Sequence, residues 1–335
     1  MTVEPASQDN PAPAAENARD RQPRPHVAFG CGLAMGTADA VPGVSGGTIA
    51  LILGIYEAFI AALADVVGVL RHPLEADSWR RLAYRLRFLV PLGLGVVIAL
   101  ITALKLLVGD KPRADDAESL RAALANADGL LLNPSSAPIV FAAFFGLVLA
   151  SISEPWCRRI DRRGIDWLLA LAGAALAAGL SLSPAGTGST AVPMLILAGA
   201  IAISVMLLPG ISGSLALLII GMYQPIASAV HDREIVTVAW FLLGMTLGGA
   251  AFIPCLRWLL RRCHDRTMAF LSGLMAGSLV ALWPWKSHYF PEGIPLLGPL
   301  GLRAPSGSWW WPLIAVAIGA GCVILAGKLA RQRAP

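Results

Sequence analysis

Apolar residues run along most of the chain in blocks long enough to cross a bilayer. A hydrocarbon core of about 30 Å takes about 20 helical residues. Blocks of that size stand at about 88–108, 137–154, 165–182, 235–260, 267–283 and 310–329, and each predicts one spanning helix. Two further blocks, 27–70 and 191–230, are too long for one span. Both are interrupted inside by Pro, Gly and Ser. Residues 1–25 hold no apolar run and are rich in Pro, Ala, Asp and Arg, which predicts a disordered tail and not a signal peptide.

The polar positions set the orientation. Lys and Arg concentrate in cytoplasmic loops. Clusters within 71–87, 155–164, 261–266 and 328–333, with Arg19, Arg21 and Arg24, place 18 of the 26 basic residues on one side. Both termini are therefore expected in the cytoplasm. On that assignment 27–70 begins and ends inside, and 191–230 begins and ends outside. Each must enter the membrane and return, as a helical hairpin or a re-entrant loop.

These two blocks also repeat each other. Pro42-Gly43-Val44-Ser45-Gly46-Gly47-Thr48 through Gly54-Ile55-Tyr56-Glu57 aligns with Pro209-Gly210-Ile211-Ser212-Gly213-Ser214 through Gly221-Met222-Tyr223-Gln224. At a constant offset of 167, eight of sixteen positions are identical, and chance apolar matching does not put Pro-Gly-x-Ser-Gly and Gly-x-Tyr in register. Gly146-Leu147 to Ser151 answers more loosely to Gly273-Leu274 to Ser278. The fold class expected is all-α: a polytopic integral membrane protein with an inverted-topology repeat and two broken or re-entrant hairpins. One membrane domain over 26–330 comprises a first repeat at about 27–154, a linker span at 165–182, a second repeat at about 191–283 and an extra span at 310–329. Inverted repeats with interrupted helices mark secondary transporters, with the site where the repeats meet.

Composition narrows the field. The chain is 56% hydrophobic and 14% charged, with mean hydropathy +0.67, which excludes a disordered protein, a disulfide-stapled module and an ordinary cytosolic enzyme. The net charge of +5 sits in topology-setting loops and does not point to nucleic acid. Five cysteines form no CxxC pair and no zinc spacing; Cys263-His264 is an adjacent pair of ligand types without partners, so no metal or cofactor is expected.

The interrupted blocks carry the chemistry. Pro42 stops a helix, Gly43 permits positive φ, and Ser45 or Thr48 can cap the helix that follows. The free N–H groups of a half-helix N-terminus form an anion site suited to phosphate or carboxylate. Gly210, Ser212, Gly213 and Ser214 supply the equivalent from the other repeat. Asp39 and Glu57 flank the first copy, and intramembrane acids mark ion or proton pathways. They are the candidates for a coupling H+ or Na+. Asp65 lies near the basic loop and reads as interfacial. Lys105 and Arg257 lie near span ends, either snorkelling or as headgroup cations. Trp283-Pro284-Trp285 and Trp309-Trp310-Trp311 read as an aromatic belt.

Ala38-Asp39-Ala40-Val41 leading into Pro42–Thr48, then Leu53 to Glu57, resembles the polyprenyl-phosphate transporters, formerly domain of unknown function 368. Leu208 to Tyr223 and Gly273 to Ser278 with Trp283-Pro284-Trp285 carry the same resemblance, which covers about 27–330. It implies a plasma-membrane protein that returns undecaprenyl phosphate from the outer to the inner leaflet for cell-wall synthesis, and no enzyme. Gln224 departs from the pattern, where an acid is expected. The resemblance fits the reading of the interrupted blocks, in which Gly43, Ser45, Gly46, Gly47, Thr48, Gly210, Ser212, Gly213 and Ser214 are expected to bind the headgroup and Asp39 and Glu57 to handle the coupling ion. Undecaprenyl-pyrophosphate phosphatases share inverted repeats and Pro-Gly-x-Ser. They need an arginine and a Ser-Gly-His, and here Gly46 and Gly213 follow the serines and no His follows Ser-Gly. A carrier or channel for a small water-soluble anion is the other alternative.

Overall fold

The computed structural model describes residues 22–41, 43–108, 129–131, 133–157, 164–184, 186, 188–286, 301–305 and 308–332. The tail to residue 21, Pro42, the acidic stretch 109–128, the basic run 158–163 and the side chains of Lys328, Arg331 and Arg333 lie outside the described residues. The described chain is helical apart from turns and an antiparallel bridge between Lys286 and Leu302.

The first interrupted block folds as α1 (Pro25–Asp39), α2 (Gly46–Ile52) and α3 (Tyr56–Arg71). Then come α4 (Ala76–Ala103), which runs into a π-helical turn at Leu104–Val108, α5 (Ala137–Ser151), the short α6 (Ser153–Cys157) and α7 (Gly164–Leu182). The second interrupted block gives α8 (Val192–Met206), α9 (Gly213–Ile219) and α10 (Tyr223–His231). The chain continues through α11 (Ile235–Arg262), α12 (His264–Ser278) and α13 (Trp310–Gln332). Ala76–Leu107, Ala137–Trp156, Gly164–Leu182 and Ile235–Arg262 are long and apolar enough to cross a membrane, and α9 and α10 form a pair bent by 111°. The protein is a polytopic membrane protein.

The 167-residue offset reappears in the backbone. Moving α1 and α2 by 167 positions gives the bounds of α8 and α9. Gly43 and Gly210 stand at φ +92° and +89°, and Gly54 and Gly221 both at +74°. Each short helix ends in the same way: Ile55 N–H donates to Ala50 O and Gly54 N–H to Leu51 O, as Met222 N–H does to Leu217 O and Gly221 N–H to Leu218 O. This is a glycine-dependent helix stop, in which the left-handed residue turns its own amide and the next one back to the last carbonyls.

Helices pair through small residues, as they must where no hydrophobic gain drives one helix onto another. In the first half α1 packs on α4, and in the second α8 packs on α11. A Cβ at Gly32 would strike the backbone of Leu92, and one at its offset partner Gly199 the backbone of Phe241. The sequence predicts α7 as a linker and α13 as an extra span. In the fold they play matching parts: α7 packs on α12 of the second half, and α13 packs on α5 of the first. The crossings lie at Gly273, against Ala170, and at Gly146, against Val316.

The helix ends differ from the apolar blocks where charge hides the pattern. α4 begins at Ala76, within the basic loop, because Ser78, Arg85 and Phe88 form a buried stripe that an apolar count misses. α12 starts at His264 and stops at Ser278, leaving 279–282 as turns before Trp283-Pro284-Trp285.

Candidate functional site

The two interruptions meet. Ser45 caps α2, accepting from Gly47 N–H at 3.2 Å. Its hydroxyl reaches across to Met206 O (3.4 Å) and Leu208 O (3.5 Å). Thr48 Oγ1 accepts the N–H of Gly210 at 2.9 Å, and the Tyr56 hydroxyl donates to Leu207 O at 2.9 Å. Ser45, Thr48 and Tyr56 are 2%, 1% and 1% exposed, so these bonds replace water that cannot enter. Three side chains of the first half thereby satisfy the backbone that the break at Pro209-Gly210 leaves unpaired. Irregular backbone within a membrane protein needs such partners. Both breaks also press on the end of α12 and the turn after it. A Cβ at Gly210 would lie 2.7 Å from the backbone of Leu274 and Met275, and one at Gly43 would lie 2.9 Å from the Ala281 Cβ.

The junction is not symmetric. Asp39, the last residue of α1, folds over the break and accepts the N–H of Gly46 through Oδ1. It occupies the N-terminal end of α2, where a carboxylate satisfies a free donor and meets the positive end of the helix. At the 167 offset Asp39 corresponds to Met206, Thr48 to Leu215, Gly47 to Ser214 and Glu57 to Gln224. The second break therefore has no carboxylate at the position that corresponds to Asp39. Ser212 stands at the cap position of α9 without a side-chain cap bond, and its hydroxyl lies 2.7 Å from that of Ser214. Ser214 is exposed and Ser212 and Gly213 are half-buried, whereas Ser45, Gly46, Gly47 and Thr48 are buried. The first copy is filled by the protein's own groups, and the second presents two hydroxyls outward.

Glu57 stands in the first turn of α3, with Oε1 3.3 Å from His264 Nε2. His264 Nδ1 lies 3.4 Å from Asp265 Oδ1. The sequence leaves Cys263-His264 without partners; folding supplies one from 207 residues away. Asp65 joins two arginines, with Oδ2 accepting from Arg85 Nε at 2.7 Å and Oδ1 from Arg257 Nη1 at 3.1 Å. Arg257 is thus part of an ion-pair network, while Lys105 is exposed on the π-turn, 20 residues beyond Arg85 and about 30 Å along the helix axis. The two cations do not share a site. Lys286 is a buried charge that sequence reading passes over; its Nζ donates to Ala281 O at 2.6 Å and sits 3.6 Å from the centre of the Phe141 ring. Only its place directly after Trp-Pro-Trp hints at that burial. Among the described residues no group of three or more His, Cys, Asp and Glu could hold a metal ion.

Comparison with known proteins gives a family and two relatives. The VCA0040-like family, described as undecaprenyl phosphate translocase-like, matches residues 35–110 and 128–290. A polyprenyl-phosphate transporter of Vibrio cholerae is 39% identical over 276 residues, covering 79% of this chain and 82% of the relative. One from Staphylococcus aureus is 31% identical over 273 residues, covering 76% and 84%. No solved structure matches. The family match runs through both interrupted blocks, and by it the chain belongs to the VCA0040-like, undecaprenyl phosphate translocase-like family.

Proposed function

We propose that this protein carries polyprenyl phosphate across the bilayer, holding the phosphate where the two interruptions meet. The observation that carries the reading is the interlock of Ser45, Thr48 and Tyr56 with residues 206–210. It brings two half-helix N-termini, with the hydroxyl-bearing and small residues of each break, into one region inside a membrane protein. The printed names of both relatives, as polyprenyl-phosphate transporters, support the substrate. The repeated bounds and the repeated positive-φ glycines support two halves of one plan, which the basic loops orient in opposite senses with both termini cytoplasmic.

The asymmetry supports separate roles for the two copies. The open pair Ser212 and Ser214, with Gly213 between them, receives the headgroup oxygens. Asp39 holds the N-terminus of α2 while ionised and competes there with a phosphate. A proton arriving on Asp39 weakens that hold and frees the Gly46 amide for the substrate, while the Gly47 amide stays with Ser45 and Gly43 and Gly210 supply the turns. Glu57, against His264, passes the coupling ion. H+ fits this exchange directly, and Na+ would serve through the same carboxylates.

The test uses proteoliposomes. Ser212→Ala with Ser214→Ala removes two hydrogen bonds to a charged group, each worth about 1.5–3 kcal/mol, and translocation of lipid-linked phosphate falls about tenfold or more. Free phosphate supplied instead of the lipid is not moved. Asp39→Asn uncouples translocation from an imposed proton gradient. Wild-type rates in the double variant, or transport of free phosphate, refute the assignment.

A further inference from the structure

Lys286 follows Trp283-Pro284-Trp285 on a backbone that its neighbours pin. It bridges to Leu302, Arg303 N–H donates to Trp285 O at 2.9 Å, and Trp283 Nε1 donates to Arg303 O at 2.9 Å. From this short pinned stretch the lysine side chain turns inward and is 8% exposed.

A buried ammonium needs an anion or a full set of acceptors, because taking an unpaired charge out of water is costly. Lys286 has neither. One of its three N–H donors meets Ala281 O at 2.6 Å, and the ammonium rests 3.6 Å from the centre of the Phe141 ring. Among the described residues no carboxylate joins it. Burial alone pushes the ammonium down to about 7, the mark of a cation that the protein's own anions do not compensate. An uncharged stem of the same length would fill this space more cheaply, so packing does not account for the charge.

The acceptor of Lys286 places it beside the junction. Ala281 is the residue on which the first break bears, since a Cβ at Gly43 would lie 2.9 Å from the Ala281 Cβ. Lys286 Nζ, Ala281 and Gly43 are consecutive contacts, which sets the ammonium within about 10 Å of the break by standard bond lengths. The polar side chains of the junction itself are the neutral Ser45, Thr48, Tyr56, Ser212 and Ser214 and the acidic Asp39. None of them is a cation.

We propose that Lys286 is the buried counter-charge of the headgroup, a cation that makes the junction select a phosphate monoester over an uncharged headgroup on the same tail. This rests on the reading that the phosphate is held where the interruptions meet. Lys286 acts through space: it stays on Ala281 O, and a dianion arriving at the break draws the proton fully onto it. A unit charge within about 10 Å of a dianion, in an interior of low dielectric, changes binding by about tenfold or more.

The experiment places the full chain in phosphatidylcholine vesicles with equal amounts of polyprenyl monophosphate and polyprenol, which differ only in the phosphate. The protein is extracted in mild detergent, and the two lipids that stay with it are counted by mass spectrometry. Lys286→Met keeps the stem and removes the charge. Lys286→Gln replaces it if the methionine variant does not fold, as judged by melting in detergent. The wild type is expected to retain the monophosphate in excess. The neutral variant is expected to lose that excess by about tenfold or more while holding as much polyprenol. A residue that only clamped the turn would lower the retention of both lipids alike and leave their ratio unchanged. An unchanged ratio in a folded neutral variant therefore overturns the counter-charge. A wild type with no excess of monophosphate overturns the headgroup site itself. A Lys286-dependent excess in a protein that moves no lipid in proteoliposomes overturns only the transport reading.

Discussion

Thr48→Val isolates the bond that ties the two halves. Valine keeps the shape and volume of threonine and removes the oxygen that accepts Gly210 N–H at 2.9 Å. Thr48 is 1% exposed, so water does not replace the lost partner. Nor can the chain turn the amide elsewhere cheaply. Gly210 is fixed at φ +89° behind Pro209, with the Leu274 backbone packed against it. A buried donor left without a partner costs about 1–3 kcal/mol. That is about a 5- to 150-fold rise in the population of the opened junction. Hydrogen–deuterium exchange of the peptide spanning 207–213 reads this opening directly, since exchange there requires that the amide separate from its acceptor. Leu215→Val is the control: it changes the position that corresponds to Thr48, where no acceptor exists. The same exchange rate in Thr48→Val as in wild type would refute the claim that this hydroxyl holds the interruptions together.

Other substitutions test the remaining contacts. Gly210→Ala places a side chain in the left-handed region and against backbone 2.7 Å away, and is expected to cost at least about 1–3 kcal/mol in detergent unfolding, whereas Gly30→Ala, with nothing within 4 Å of the new methyl, stabilises α1 by about 0.5–1 kcal/mol. A Gly210→Ala variant as stable as wild type would contradict the description of that turn. Asp65→Ala leaves Arg85 and Arg257 without their shared carboxylate and should lower stability by about 3–5 kcal/mol, against a change within about 0.5 kcal/mol for the exposed Arg81→Gln. Equal melting of the two would remove the bridge from the account of the fold.

The sequence makes the four spans expected at 88–108, 137–154, 165–182 and 235–260 legible because hydropathy and helix length are local. It makes both interruptions legible because proline, glycine and serine act on their own neighbours. The 167-residue offset, visible as identities from Pro42 to Tyr56, carries through to the bounds of α1 and α2 against α8 and α9 and to the first residues of α3 and α10. The partners of the charges are not legible in the same way. Glu57 finds His264 and Asp65 finds Arg257 across 207 and 192 residues, and no pattern within one chain announces such distant pairing. Asp39 is an intermediate case: its position before Pro-Gly is conspicuous, yet only the folded turn shows its carboxylate bound to Gly46. Amphipathic basic helix is the other blind spot, since Arg85 is buried within a stretch that reads as loop.

The crossed packing of α7 on α12 and α13 on α5 limits how this molecule can work. Each half holds the closing helix of the other, like two hands with interlaced thumbs. Swinging the halves apart as solid blocks would tear both grips at once. The two exchanged helices thus tie the halves into one frame, and within it the bent pair α9–α10 packs on α7 and α11.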